Sequence, residues 1–205
     1  MAVGILGLTM ALGFSGCQSE NQKNQDAYRK IGINSMAEGD YDKAVKSFQK
    51  ALDTSLGKIG AEEIDICYYK AAAQFAKKDY DGAIETYTSL IDYDKENANA
   101  YYLRGSVYLD TDKKDKAFKD YKNAVKYAGR EYEIYEGIYE NLTNKGETEE
   151  AKNYLKKALD IKPKDGADYA EQGHVYYLLE DYTQAKSSLD RAIDKDDKTA
   201  LLYLA

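Results

Sequence analysis

The sequence predicts an all-α fold, a solenoid of about five helix–turn–helix repeats with a partial sixth helix at its end. Three observations lead there. A short motif recurs five times: Asp40-Tyr41-Asp42-Lys43-Ala44, Asp79-Tyr80-Asp81-Gly82-Ala83, Lys114-Asp115-Lys116-Ala117, Glu149-Glu150-Ala151 and Asp181-Tyr182-Thr183-Gln184-Ala185. Its alanines stand 39, 34, 34 and 34 residues apart, and small and bulky residues recur at fixed offsets around them. Finally, 205 residues contain one Pro, which disfavours all-β and loop-rich folds because these depend on turn chemistry.

At the N-terminus, Met1 to Gly16 carries no charged side chain, and the first charged residue is Glu20. At about 1.5 Å per residue, sixteen residues are too short to cross a hydrocarbon core of about 30 Å as a helix. The segment reads as an export signal, with a buried N-terminal helix as the alternative. Gln18 to Asn24 (QSENQKN) is polar, lacks aromatic and β-branched residues, and reads as a tether.

Five repeats follow over residues 25–199, at about 25–58, 64–97, 98–131, 132–165 and 166–199. Four residues after each motif alanine is a bulky residue (Phe48, Tyr87, Tyr121, Leu155, Leu189), and seven after is Ala51, Leu90, Ala124, Ala158 or Ala192. Sixteen before stand Tyr28, Cys67, Tyr101, Tyr135 and Tyr169; twelve before stand Gly32, Ala71, Gly105, Tyr139 and Gly173. Small residues on both helices of a pair let the axes approach, and large ones fill the grooves beside the contact. This spacing predicts helices at 26–38, 42–53, 61–77, 80–93, 98–111, 114–127, 131–144, 147–160, 166–179 and 182–195. The long first spacing places an extended loop near Thr54–Gly60, Tyr139 should widen its helix pair, and Pro163 ends a helix between repeats. Residues 200–205 open a further helix, which either covers repeat five or begins another repeat.

Charge and composition exclude several functions. With 36 acidic and 29 basic residues the net charge is −7, which argues against nucleic-acid binding, and one His with two Cys argues against a zinc site. His174 lacks an orienting partner and nucleophile in its sequence context and reads as a partly exposed helix residue. Glu133, Glu136 and Glu140 share one helix face and read as solvated surface. Neither a cofactor, a metal nor a small-molecule substrate is expected, and the chain reads as non-enzymatic. Lys116, Lys119, Lys122 and Lys126 form a basic strip on the second helix of repeat three, suited to anionic headgroups or an acidic protein.

Two resemblances sharpen these readings. The five registrations resemble the tetratricopeptide repeat, a 34-residue helix–turn–helix unit. That resemblance implies a right-handed superhelix whose inner face comes mainly from the first helix of each pair, and a protein or peptide partner held there. Its inner offsets fall on Arg29, Ile33 and Met36; Tyr68, Ala72 and Phe75; and Tyr102, Ser106 and Leu109. They continue on Glu136, Glu140 and Thr143, then on Ala170, His174 and Tyr177. Among these, Arg29, Tyr68, Phe75, Tyr102, Glu136 and Tyr177 are the candidate peptide-binding residues. Of the 21 tyrosines, those at repeat packing positions, Tyr182 among them, are expected to be architecture. The run Phe14-Ser15-Gly16-Cys17 resembles the lipobox of bacterial lipoproteins. It implies cleavage of residues 1–16, a lipid on Cys17 with a tether over 17–24, and attachment to the extracytoplasmic face of a bacterial membrane. The reading that results is a lipid-anchored scaffold; the alternative is a structural subunit or assembly factor of an envelope machine for pilus, secretion or outer-membrane assembly.

Overall fold

The computed structural model describes residues 20–55, 57 and 59–195. Among these, ten α-helices form the chain: α1 (Glu20–Ala37), α2 (Tyr41–Thr54), α3 (Ala61–Ala76), α4 (Tyr80–Tyr93), α5 (Ala98–Asp110), α6 (Lys114–Tyr127), α7 (Tyr132–Asn144), α8 (Thr148–Lys157), α9 (Gly166–Leu178) and α10 (Tyr182–Asp194). A short 3₁₀ turn, Ala158–Asp160, ends α8. The expected helices are all present, paired as an α-solenoid. The export segment, Cys17 and the sixth helix lie outside the described residues. Helix α1 starts at Glu20, within the stretch read as a tether. Its Gln25 is buried and donates from Nε2 to Glu63 Oε1 at 2.7 Å, and a nucleated helix extends backwards through polar residues at little cost.

One turn design joins the two helices of every repeat. The residue before the second helix's N-cap has positive φ in each case: Gly39 at 77°, Lys78 at 67°, Asp112 at 57°, Gly146 at 80° and Glu180 at 66°. Two backbone bonds close each turn in the Schellman pattern, as where Gly39 N–H donates to Met36 O (3.0 Å) and Asp40 N–H to Ser35 O (2.8 Å). The residue that completes this turn is also the N-cap of the next helix. Asp40, Asp79 and Asp181 accept there from the N–H groups of Lys43, Gly82 and Gln184, which explains the acid that leads the repeated motif.

The motif alanines and the positions four and seven residues on are buried in every repeat. The helices of repeats one, three and five come closest, because glycine stands at the crossing. A β-carbon at Gly32 would lie 2.5 Å from Phe48, and one at Gly105 or Gly173 would lie 2.8 Å from Tyr121 or Leu189. Repeats two and four carry Ala71 and Tyr139 there, and α3–α4 and α7–α8 pack equally, both less extensively than the glycine pairs, so the looser packing follows the loss of glycine rather than the bulk of Tyr139. The added length between repeats one and two is taken up by a loop turning at Gly57, φ 78°, before Gly60 N–H bonds Glu63 Oε2 at the start of α3.

Long-range polar contacts mostly span about one repeat. Examples are Lys77 with Asp42, Lys113 with Asp81, Lys145 with Asp110, Lys114 with Glu147 and Arg130 with Asp168. Each repeat is thus secured to its neighbours, the arrangement of a quasi-one-dimensional solenoid.

Candidate functional site

The first helices of the repeats, α1, α3, α5, α7 and α9, present the face on which the candidate residues lie. The structure puts most of these residues to work in the seams between successive repeats. On α1, Arg29 donates from Nε to Asp65 Oδ2 of α3 at 2.8 Å, and its guanidinium lies 5.2 Å from the centre of the Tyr69 ring. The Tyr68 hydroxyl donates to Asn97 Oδ1 at 2.7 Å, and that same oxygen caps α5 by accepting from Ala100 N–H at 2.9 Å. Burial pushes the Tyr68 phenol up in pKa. Phe75 is half-buried and edge-on to Tyr80, with ring centres 5.6 Å apart.

Tyr102 repeats the theme. Its ring sits 6.4 Å from Tyr121, and its hydroxyl rests on the Cα of Gly137 of α7, where no β-carbon would fit unless the phenol moved. Burial raises its pKa, opposed by hydrogen bonds with Asn141 and Ser106. Leu109 and Ala170, at 2% and 0% exposure, correct the inner-face expectation outright: both are core.

Glu136 and His174 also differ from their sequence readings. Glu136 Oε1 lies 2.9 Å from His174 Nδ1, joining α7 to α9, so neither is a plain surface residue. The hydrogen bond to Glu136 raises the His174 pKa against the opposing cost of burial, helped by the charges of Glu171 and Glu140. The ring thus sits among carboxylates, which favour its protonated form. Among the described residues, no group of three or more His, Cys, Asp or Glu side chains is placed to hold a metal ion.

Tyr177 is different: it is 58% exposed. Its ring packs edge-on against Tyr182, 5.7 Å away, and Tyr182 is itself 62% exposed, which corrects its reading as a packing residue. Among the inner offsets, Tyr177 of α9 and Glu140 and Thr143 of α7 are the exposed positions, and Tyr182 flanks them from the start of α10. An exposed aromatic pair suits a basic or aromatic side chain of a bound polypeptide, and Glu140, whose charge acts on His174 three residues before Tyr177, adds a carboxylate to the same face.

Sequence reasoning missed the seam partners Asp65, Asn97, Gly137 and Asn141. Their signal is positional, since they lie 36, 29, 35 and 35 residues beyond Arg29, Tyr68, Tyr102 and Ser106, about one repeat on. It missed a core ion pair as well. Arg104 donates from Nε to Asp120 Oδ2 at 2.7 Å, from a second nitrogen to Oδ1 at 2.9 Å, and from the third to Thr88 Oγ1 at 2.9 Å.

Similarity to known proteins agrees with this architecture. The chain is 21% identical to anaphase-promoting complex subunit 3 of Schizosaccharomyces pombe over 92% of its own length and 33% of that protein. It is 27% identical to tetratricopeptide repeat protein 13 of Homo sapiens over 69% of its length and 17% of that protein. The chain thus spans a third or less of these curated relatives. Among solved structures, TTC0263, a thermophilic TPR protein of Thermus thermophilus, superposes with a TM-score of 0.53 at 18% identity, covering 87% of this chain and 99% of that one. The pilF protein of Pseudomonas aeruginosa does so with a TM-score of 0.53 at 17% identity, covering 86% and 78%. At these identities the likeness is one of fold. A TPR repeat model matches residues 71–112, and a tetratricopeptide repeat model matches 26–55, 98–130, 140–165 and 169–198. With helix pairs recurring at that period and more than half its length matched, the chain belongs to the tetratricopeptide repeat family.

Proposed function

We propose that the protein is a non-enzymatic, membrane-anchored scaffold that holds a polypeptide segment of a partner protein on the face of its first helices. The observation that carries this reading is exposed Tyr177, its ring on Tyr182, at the end of a face where Tyr68 and Tyr102 are built into the seams between repeats and Phe75 packs on Tyr80. Large exposed rings with few rotors provide contact area at small entropic cost. The seam residues Arg29, Tyr68, Tyr102 and Glu136 set the spacing of the face, and their half-exposed edges, with that of Phe75, supply its flanks. Anchoring rests on the lipobox-like run ending at Cys17: more than one acyl chain on that residue would hold the chain durably at a bilayer on the extracytoplasmic side. Tyr177→Ala is expected to leave the helical content unchanged and to weaken co-purification of the partner. Cys17→Ala is expected to move the protein from the membrane fraction to the soluble one. Retention of both behaviours in the variants contradicts the respective halves of the reading.

A second reading makes the chain a fixed subunit of a larger envelope assembly. It is favoured by the match of nearly the whole chain to a protein whose name is that of a complex subunit. Stoichiometric co-purification that survives Tyr177→Ala would distinguish it.

A further inference from the structure

The second helices of repeats three and four frame a shallow, open cationic trough. One cleft of about 670 Å³ between α6 and α8 is lined by Phe118, Lys119, Lys122, Tyr154 and Lys157 together with Glu147 and Glu150. A second, of about 630 Å³, adjoins it through Lys157 and adds Lys126, Arg130, Lys162 and Asp160. Lys119, Lys122, Lys126, Lys157 and Lys162 are all exposed, and none has a carboxylate within ion-pair distance among the described residues. The acids nearby are partly committed, because Glu147 is taken by Lys114. The contrast with other lysines is sharp: Lys77, Lys113, Lys114, Lys145 and Lys152 each meet an acid of an adjoining repeat.

The basic side chains work against each other. Lys119, Lys122 and Lys126 stand at spacings of three and four on one helix, the arrangement in which like charges repel. A chain of net charge −7 therefore concentrates uncompensated positive charge in one concave strip, where an anionic partner relieves the repulsion. The lining selects among anionic partners. Beside the lysines these shallow clefts offer half-buried Phe118 and the edge of Tyr154, whose ring centre lies 4.5 Å from Lys157 Nζ, so an acidic polypeptide that carries aromatic side chains engages both the charges and the rings.

We propose that this trough is a second docking surface, independent of the Tyr177 face, for an acidic, aromatic-bearing polypeptide segment of a partner protein. The probe is a fluorescein-labelled oligo-glutamate peptide carrying Phe residues, titrated against the full chain by anisotropy at fixed ionic strength. Lys122→Glu/Lys157→Glu is expected to weaken its binding by about tenfold or more. Lys43→Glu/Lys46→Glu, which reverses as much charge on exposed positions of α2, is expected to leave binding unchanged. Equal binding by the trough variant, or an equal loss in the α2 variant, overturns the proposal. It also fails if phosphatidylglycerol-containing vesicles bind at the trough while the peptide does not. Salt-sensitive self-association abolished by the trough variant, without peptide binding, would make the occupant a second copy of this chain and overturn it equally.

Discussion

The ring of Tyr121 lies flat against the Cα of Gly105, so close that a β-carbon there would stand 2.8 Å from both Cδ1 and Cε1. Tyr121 is fully buried and held on its other side by Tyr154, with ring centres 6.1 Å apart, so it cannot step aside. Gly105→Ala is therefore expected to destabilise by about 1–3 kcal/mol, although alanine is the better helix former. In the same register of repeat two, where Ala71 is accommodated, Ala71→Gly is expected to cost about 1 kcal/mol. Chemical denaturation of the two variants checks these opposite preferences.

The Arg104–Asp120 pair is the most buried ion pair among the described residues, with side chains 15% and 4% exposed. Removing one partner strands the other's charge. Asp120→Ala is expected to cost about 3–5 kcal/mol, and a joint replacement of both by apolar residues of similar volume to recover most of it. A double-mutant cycle in urea measures both.

The shared turn has its own test. Lys78 adopts a left-handed conformation that L-residues other than glycine enter only at a cost, while Gly146 meets the same need without one. Lys78→Gly is expected to stabilise by up to about 1 kcal/mol, and Gly146→Ala to destabilise by a similar amount. Thermal unfolding distinguishes the signs.

His174 should make the α7–α9 seam sensitive to pH. Its folded-state pKa lies above the ordinary value because Glu136 accepts its proton-bearing nitrogen, with Glu171 and Glu140 adding negative charge. A raised pKa means the protonated form is favoured in the fold. The contribution is thus complete below about pH 6.5, the unfolded value, and is lost as pH rises through the folded pKa. The unfolding midpoint should fall over that window, and Glu136→Gln should flatten the fall.

Helix positions were legible in the sequence because each repeat spells the same order of small and large residues, and Ala44, Phe48 and Ala51 of repeat one recur in function as Ala117, Tyr121 and Ala124 of repeat three. The turns were less so, since three of the five left-handed positions, Lys78, Asp112 and Glu180, carry side chains that do not mark them. The face was harder still. An inner offset names the residue that points inwards from one repeat, but exposure depends on what the next repeat lays over it. Tyr68 and Tyr102 are covered by α5 and α7 in this way, whereas Tyr177 stands open among the described residues.

The claim that a partner polypeptide is held on the face of the first helices is tested most directly at Tyr177. A photo-crosslinking phenylalanine analogue would be placed there, and in a second chain at Lys46 on the exposed side of α2, in the cells that produce the protein. The prediction is a discrete protein adduct at 177 that is absent at 46 and is lost when Glu140→Lys is added. No adduct at 177, or the same adduct at both positions, would contradict it.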